Sequence, residues 1–186
     1  MFTNNWFEVT AIRNFEKHVL PLKEKALNFL EVGCYEGQAS VWMLENSNAK
    51  LTVVDTFKGG QDLPDEENLL HRFTDNVKEH RDRVSINMGK SQRILKEFAS
   101  DTEMGVDFYD FIYIDGSHLA CDVLEDAILA FPLLKNGGIM IFDDYTWGQG
   151  MSPFDVPSMG INTFLSVYGN KIKVLEKNSQ VVIEKN

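Results

Sequence analysis

Short apolar runs alternate with amphipathic segments along most of the chain. Residues 26–32 form an apolar run that stops at Gly33, and residues 50–55 form a β-branched run that ends on Asp55. Such runs indicate buried strands, whereas apolar positions three and four residues apart indicate helices that cover a sheet. The pattern predicts strands and intervening helices, in chain order, at 26–32, 38–44, 50–55, 69–79, 84–88, 92–98, 108–114, 120–134 and 139–142.

The last part of the chain breaks this alternation. A predicted helix at 161–168 precedes two strands, 172–175 and 181–183, which flank Asn178 and Ser179. Two strands that a tight turn joins pair antiparallel, whereas strand–helix alternation produces a parallel sheet covered on both faces. We therefore predict the α/β class, with a doubly wound, mostly parallel seven-stranded sheet and one antiparallel strand near the edge.

One domain is expected over residues 1–186, and residues 1–25 are expected to form an N-terminal helical cover that includes a helix at 6–20. No apolar run approaches the roughly 20 residues that a membrane span requires. The first residues do not show the basic and apolar pattern of a signal peptide. The two cysteines are too few for a secreted disulfide scaffold. These features predict a cytoplasmic protein with no membrane partner.

The net charge of the chain limits the classes of partner that are expected. The formal net charge is −10, and a chain with this excess of carboxylates repels polyphosphate. A broad basic surface for nucleic acid is therefore not expected, and a small-molecule partner is favoured.

Candidate ligand-binding residues follow four of the predicted strands. Gly33, Asp55, Asp115 and Asp143 each stand where a strand ends. In doubly wound sheets, ligands bind outside the carboxyl ends of the strands. Any one of these residues is equally compatible with an ordinary turn, but four of them at one edge predict a binding site there.

Two nucleotide-binding motifs are excluded by their spacing. A dinucleotide fingerprint after the first strand would require glycine at positions 33, 35 and 38, where the chain has Gly33, Tyr35 and Gln38. A phosphate-binding loop at Gly89-Lys90-Ser91 would require a further glycine five residues before Gly89, where Val84 lies within a strand. Hydride transfer with NAD is therefore a poor fit.

The carboxylates after the fourth and fifth strands form the strongest candidate site. Asp115, Asp143 and Asp144 would repel one another, and a hard divalent ion with oxygen ligands, ordinarily Mg²⁺, would remove that repulsion. His118 follows Asp115 by three residues, and a neutral imidazole can accept a proton from a hydroxyl group. Helix caps or ion pairs for the aspartates, and a surface position for His118, remain alternative interpretations.

Four strings of the sequence resemble a known family. Residues 29–37, 55–60, 111–118 and 137–145 resemble class I S-adenosylmethionine-dependent methyltransferases, in particular small bacterial metal-dependent sugar and catechol-type O-methyltransferases. The resemblance runs from Trp6 to the C-terminus. It departs at Tyr35, where many family members have a second glycine.

The resemblance implies roles for individual residues. It implies that Asp55 holds the ribose and that the rest of the cofactor is bordered by Glu31, Gly33, Gly37, Ser91, Gln92 and Asp115. It also implies that Asp115, Asp143 and Asp144 bind Mg²⁺. His118 is implied to act as the catalytic base. For Asp55 and Ser91, a purely structural role in a turn or helix cap remains an alternative.

The expected function is S-adenosylmethionine-dependent, Mg²⁺-dependent O-methylation of a small hydroxylated acceptor such as a sugar. One alternative is a metal-independent small-molecule methyltransferase, and another is a non-catalytic module that binds S-adenosylmethionine. Two Gly- and Pro-containing loops, 56–68 and 147–158, are predicted to lie near the cofactor and the acceptor respectively.

Overall fold

A computed structural model describes residues 2–25, 27–60, 68–101 and 105–186. Its described residues form a seven-stranded sheet in the order β3-β2-β1-β4-β5-β7-β6. The strands are β1 (Asn28–Val32), β2 (Lys50–Asp55), β3 (Val84–Met88), β4 (Tyr109–Ile114), β5 (Leu134–Phe142), β6 (Ile172–Lys177) and β7 (Val181–Lys185).

Strand directions follow the predicted arrangement. Among strands β1 to β5, every pair of neighbouring strands is parallel. Strand β7 lies between β5 and β6 and pairs antiparallel with both, because the short turn after β6 forces the chain to reverse. The predicted fold class is therefore confirmed.

Six α-helices accompany these strands in the described residues. They are α1 (Ile12–Asn14), α2 (Gln38–Asn46), α3 (Leu69–Asn76), α4 (Ser91–Ala99), α5 (Ala120–Ala130) and α6 (Pro157–Tyr168). None of the helices described is long and apolar enough to span a membrane.

The hydrophobic core lies on both faces of the sheet because side chains alternate along each strand. On one face, Phe111 and Tyr113 of β4 pack with Phe15 of the N-terminal segment and with α2 and α3. On the other face, Ile112 and Ile114 pack with α4, α5 and α6. Strands β1, β4 and β5 are consequently covered on both sides, which explains their nearly continuous apolar sequences.

The N-terminal segment differs from the regular helix predicted at 6–20. Helix α1 is flanked by two π-helical stretches, Phe7–Ala11 and Phe15–Val19, and a 3-10 turn, Leu20–Leu22, follows. Buried side chains recur every four residues, at Phe7, Ala11, Phe15 and Val19. An α-helix with 3.6 residues per turn would rotate this row around its axis. The wider π turns keep the row facing the sheet.

Four other predicted boundaries were wrong by three or more residues. The helix predicted at 69–79 ends at Asn76, and a 3-10 helix, Lys78–Arg83, follows it. Helix α5 ends at Ala130 before Pro132, whose ring cannot continue the helical hydrogen bonds. Residues 134–138 belong to β5, where a register irregularity opposite β4 accommodates them. Helix α6 begins four residues before its predicted start, with Pro157 in the first turn.

Candidate active site

The strand-end residues lie in one row because the parallel strands end in register. The N–H of Gly33 donates to the Val54 carbonyl, and the N–H of Asp115 donates to the Val32 carbonyl, both at 2.8 Å. The N–H of Asp143 donates to Ile114 in the same way at 3.0 Å. These backbone hydrogen bonds extend the sheet by one residue and bring the predicted site residues to one edge.

A pocket of about 660 Å³ opens at this edge; we call it the active-site pocket. Nine of the ten predicted site residues line it, namely Glu31, Gly33, Asp55, Ser91, Gln92, Asp115, His118, Asp143 and Asp144. Gly37 lies behind the lining, at the start of α2, with a φ of 86°. A Cβ atom at Gly37 would lie 2.9 Å from the ring of Phe73, so its role in the structure is packing.

Gly33 makes the close approach between two loops possible. A Cβ atom at this position would lie 2.1 Å from the carbonyl oxygen of Asp115, and the φ angle is 80°. Both facts require glycine. Tyr35, two residues later, also has a positive φ of 48°, which is unfavourable for a residue with a side chain.

Asp55 holds this loop in place. One carboxylate oxygen accepts from the N–H groups of Cys34 at 2.7 Å and Tyr35 at 3.0 Å, and the other accepts from Phe57 at 2.7 Å. The structural role that we left open for Asp55 is therefore present. A carboxylate has about four acceptor positions, so capacity for a further donor remains on the pocket side.

Ser91 and Gln92 begin α4 at the opposite end of the pocket. The cap position of the helix belongs to Lys90, which makes no side-chain capping bond, so the helix-cap alternative for Ser91 is wrong. The Ser91 hydroxyl is instead hydrogen-bonded to the carboxyl group of Asp126 on α5. Asp126 is buried, and burial raises its pKa to about 7.

Glu31 is a buried carboxyl group at the base of the pocket. Its side chain accepts a hydrogen bond from the Ser40 hydroxyl. Burial raises the pKa of Glu31 to about 8, the Ser40 bond opposes this effect, and repulsion from Asp55 adds to it. In the structure as it stands, Glu31 therefore holds its proton at neutral pH.

Three aspartates converge on the other side of the pocket. Burial, followed by repulsion from Asp143 and Asp144, raises the pKa of Asp115 well above its usual value. Burial and repulsion from Asp144 raise the pKa of Asp143 to about 6, although hydrogen bonds from Tyr113, Asp144 and Gln180 favour the ionised form. The predicted mutual repulsion of these carboxylates is thus present.

Asp144 and His118 form a contact that the spacing of the sequence did not indicate. The Nε2 atom of His118 lies 2.9 Å from Oδ2 of Asp144. The imidazole also packs against Trp147, with ring centroids 4.3 Å apart. Asp144 has a φ of 58°, a strained backbone conformation of the kind that is frequent at functional sites. The surface-residue alternative for His118 is therefore not supported.

The two loops predicted near the pocket are partly described. Trp147 at the start of the second loop lines the pocket. In the first loop, Thr56, Gly59 and Gly60 line it, whereas residues 61–67 lie outside the described residues. Trp6 and Tyr35 form part of the wall, with ring centroids 5.5 Å apart, so the N-terminal segment contributes to the pocket of its own chain.

Tyr113 and Gln180 were not predicted to belong to the site, although both donate a hydrogen bond to Oδ2 of Asp143. Tyr113 precedes Asp115 by two residues, so strand alternation could have placed both side chains on one face. Gln180 stands beside the β6–β7 turn, and no local signal connects it with residue 143.

The metal prediction can be compared with these contacts. Asp115, Asp143 and Asp144 supply the oxygen donors and the negative charge that suit a hard cation. Hydrogen bonds to a ligating carboxylate, such as those at Asp143, are usual around metal sites. Within the part of the chain that is described, however, no group of three or more His, Cys, Asp or Glu side chains is arranged to hold a metal ion. One oxygen of Asp144, Oδ2, is already engaged with His118.

Comparison with known proteins identifies the family. A family described as "Methyltransferase domain" matches residues 30–145, which include the end of β1 and the three aspartates. The chain belongs to this methyltransferase-domain family. No curated protein sequence matches the chain.

Solved structures extend this similarity to the whole fold. TomG, an O-methyltransferase from Streptomyces achromogenes in complex with SAM, is 16% identical, with a TM-score of 0.70 over 95% of this chain and 80% of its own. An O-methyltransferase from Bacillus cereus in complex with SAH is 17% identical, with a TM-score of 0.67 over 96% and 88%.

A third similar structure is the MycE methyltransferase of mycinamycin biosynthesis in complex with Mg, SAH and mycinamycin VI. It is 17% identical, with a TM-score of 0.67 over 100% of this chain and 51% of its own. This chain thus spans about half the length of MycE. At these identities the similarity shows the fold, and the class I methyltransferase resemblance is confirmed at the level of family and fold.

Proposed function

We propose that this methyltransferase transfers a methyl group from S-adenosylmethionine to a hydroxyl group of a small acceptor such as a sugar. The observation that carries the proposal is one pocket, in a methyltransferase fold, that joins the strand-end row to the His118–Asp144 pair. The adenosyl ligands of TomG and the Bacillus cereus enzyme, and the mycinamycin VI bound to MycE, support the same assignment.

The cofactor half of the pocket is assigned to β1, β2 and α4. Gly33 lets the cofactor approach the backbone, and Asp55 accepts from the ribose hydroxyls. Ser91 and Gln92 border the adenine. Glu31 is protonated in the structure as it stands, and the ammonium group of the cofactor would favour its ionised form and form an ion pair with it.

The acceptor half is assigned to His118, Asp144 and Trp147. Asp144 lies beside Nε2 of His118, so it orients the imidazole, which would accept the proton of the acceptor hydroxyl. Trp147 limits rotation of the imidazole by packing on it. The hydroxyl oxygen then attacks the methyl carbon in line with the departing sulfur, and positioning supplies most of the catalysis.

Mg²⁺ belongs to the proposal as a group that Asp115, Asp143 and Asp144 would hold. When bound, it would orient the acceptor hydroxyl and lower its pKa. The support is the convergence of three carboxyl groups on the pocket. Burial first, and then repulsion from neighbouring carboxylates, raises the pKa of Asp115 and of Asp143, and a bound cation would offset that repulsion.

A metal-independent methyltransferase is the second candidate, and the 2.9 Å contact between His118 and Asp144 favours it. A histidine oriented by a carboxylate can act as a base without a cation. Treatment with a chelator separates the two candidates. Loss of turnover that Mg²⁺ restores would support the metal-dependent form, and full turnover after chelation would refute it.

The first test is calorimetric titration of S-adenosylhomocysteine into metal-free protein, repeated with Mg²⁺ and with NAD as a control. We expect the adenosyl ligand to bind and NAD to fail. Heat from Mg²⁺ that disappears in Asp143→Ala would support the metal site. Absence of S-adenosylhomocysteine binding under both conditions would refute the methyltransferase proposal.

The second test addresses turnover. Methyl transfer to a panel of sugars and catechols is measured for the wild type and for His118→Ala. We expect a loss of about 100-fold or more in kcat, as is typical when a general base is removed. An unchanged rate would remove His118 from the mechanism, and binding without product would favour the non-catalytic module.

A further inference from the structure

Buried amide side chains connect the N-terminal segment to the carboxylate of Asp143. Nδ2 of Asn14 in α1 donates to Oε1 of Gln180 at 2.9 Å. Nε2 of Gln180 donates to Oδ2 of Asp143 at 3.0 Å. The Tyr113 hydroxyl donates to the same oxygen. Asn14 and Gln180 are only 3% and 0% exposed, so water does not compete for these bonds.

The direction of each hydrogen bond is fixed from the N-terminal end. The amide nitrogen of Asn14 also donates to Oδ1 of Asn178, at 3.2 Å, and the same Asn178 oxygen accepts from the backbone N–H of Gln180 at 3.0 Å. Asn14 therefore presents a donor to Gln180, whose carbonyl must face Asn14. The remaining end of the Gln180 amide is a donor, and it faces Asp143.

These contacts determine how many further hydrogen bonds the Asp143 carboxylate can accept. Its Oδ1 accepts from the N–H of Asp144 at 2.7 Å, and its Oδ2 accepts from Gln180 and Tyr113. A carboxylate has about four acceptor positions, so three are occupied from inside the protein. One acceptor position remains for the pocket, and the carboxylate cannot rotate without breaking its internal bonds.

Buried polar groups of this kind are costly unless they are fully paired. Both amides stand among core residues: Phe15 follows Asn14 and Val181 follows Gln180, and both neighbours are 0% exposed. Apolar side chains at positions 14 and 180 would satisfy the packing. What they would not provide is a donor to Asp143 that points in a fixed direction.

We propose that Gln180, oriented by Asn14, is a positioning residue that holds the Asp143 carboxylate with one acceptor position directed into the active-site pocket. The inference rests on the function proposed above. It couples the N-terminal segment, which also forms part of the pocket wall, to the catalytic side of the pocket.

The test reverses the order of donor and acceptor in the hydrogen bonds that run from Asn14 through Gln180 to Asp143. Asn14→Asp places acceptors opposite the Gln180 carbonyl and forces its amide to turn, so that oxygen faces oxygen at Asp143. Gln180→Leu removes the donor without charge. Ser179→Ala is the matched control. It removes the hydrogen bond from the Ser179 hydroxyl to the Thr10 carbonyl, which also joins the β6–β7 turn to the N-terminal segment, but it leaves the bonds of Asn14 and Gln180 intact.

The first readout is independent of activity. The chain has five glutamines, so Gln180→Leu assigns the Gln180 side-chain amide in an NMR spectrum of protein with ¹⁵N-labelled glutamine. We expect slow hydrogen exchange of this amide in the wild type and in Ser179→Ala, and fast exchange or a shifted signal in Asn14→Asp. An unchanged signal in Asn14→Asp would overturn the inference.

The second readout separates positioning from general structural support. With equal amounts of folded protein, we expect Asn14→Asp and Gln180→Leu to lower kcat at least about tenfold, because small displacements of reacting groups reduce rates strongly. The affinity for S-adenosylhomocysteine should change less than about threefold in both. A loss of kcat no larger than that of Ser179→Ala, or a loss confined to cofactor affinity, would overturn the inference.

Failure of the proposed function has a different signature. Wild-type protein that does not bind S-adenosylhomocysteine would refute the methyltransferase proposal itself. The exchange behaviour of the Gln180 amide would still decide whether Asn14 orients it, because that measurement requires neither cofactor nor acceptor.

Discussion

Glu31 provides a direct test of the electrostatics of the active-site pocket. Its carboxyl group is 1% exposed, and burial raises its pKa from an ordinary value of 4.5 to about 8. Replacement by Gln keeps the shape of the side chain and a carbonyl that accepts from Ser40, but it removes the titrating proton. The difference between wild type and Glu31→Gln therefore isolates this one group.

The expected magnitude follows from the two pKa values. Below pH 4.5 the group is protonated in both the folded and the unfolded protein, and its favourable contribution is fully present. Between pH 4.5 and about 8 only the folded protein keeps the proton. The free energy of unfolding should therefore fall as pH rises, by up to about 1.4 kcal/mol per pH unit. From pH 5 to pH 8 this amounts to roughly 3 kcal/mol for Glu31 alone.

Urea unfolding monitored by tryptophan fluorescence at pH 5, 6, 7 and 8 measures this slope. We expect the difference in stability between Glu31→Gln and the wild type to grow in favour of the variant as pH rises. Glu45→Gln, which changes an exposed carboxylate of α2, serves as the control and should follow the wild type. Parallel pH profiles for wild type and Glu31→Gln would refute the argument that burial keeps Glu31 protonated.

Three further substitutions test other parts of the pocket. Gly33→Ala should destabilise the protein by about 3 kcal/mol or more in urea unfolding, because the φ angle is positive and the new Cβ would lie 2.1 Å from the Asp115 carbonyl oxygen. A loss of stability below about 1 kcal/mol would contradict the close approach. Asp55→Asn should cost about 2–4 kcal/mol because it removes charged acceptors from three N–H groups, with weaker S-adenosylhomocysteine binding by calorimetry. Unchanged stability would argue against the loop-holding role. Tyr113→Phe should lower the free energy of unfolding by about 1–3 kcal/mol, because it removes a donor from a buried carboxylate. The same substitution is then made in Asp143→Ala. If it lowers stability there by the same amount, the hydrogen bond to Asp143 is not the source of the loss.

The alternation of apolar runs was sufficient to predict the sheet, its parallel part and its antiparallel strand. The prediction failed at one segment, where a sequence typical of the end of a helix lies within a strand. The Asn136-Gly137-Gly138 sequence indicated the end of a helix, but these residues lie within β5. They lie between two residues of β5 that pair with Tyr109 and Phe111 of β4, and the register irregularity there accommodates them. Such pairing depends on a strand distant in sequence, so no local pattern could reveal it.

The structure brings nine of the ten predicted site residues to one pocket because the parallel strands end at one edge. Once the strand order is known, parallel register brings Gly33, Asp55, Asp115 and Asp143 to one edge. The contact between His118 and Asp144 was not predicted, because it depends on the strained backbone at residue 144. The positions of Asn14 and Gln180 were not predicted either, since they are brought together across 166 residues of sequence.

The sequence by itself determined which residues are apolar, where the strands end and which carboxylates follow them. Local physics is enough for these features, because periodicity and turn chemistry act between near neighbours. Only the tertiary structure decided the protonation of Glu31, the partner of His118 and the orientation of Asp143. These properties depend on burial and on hydrogen bonds between distant segments, and both arise only when the sheet and its helices are packed together.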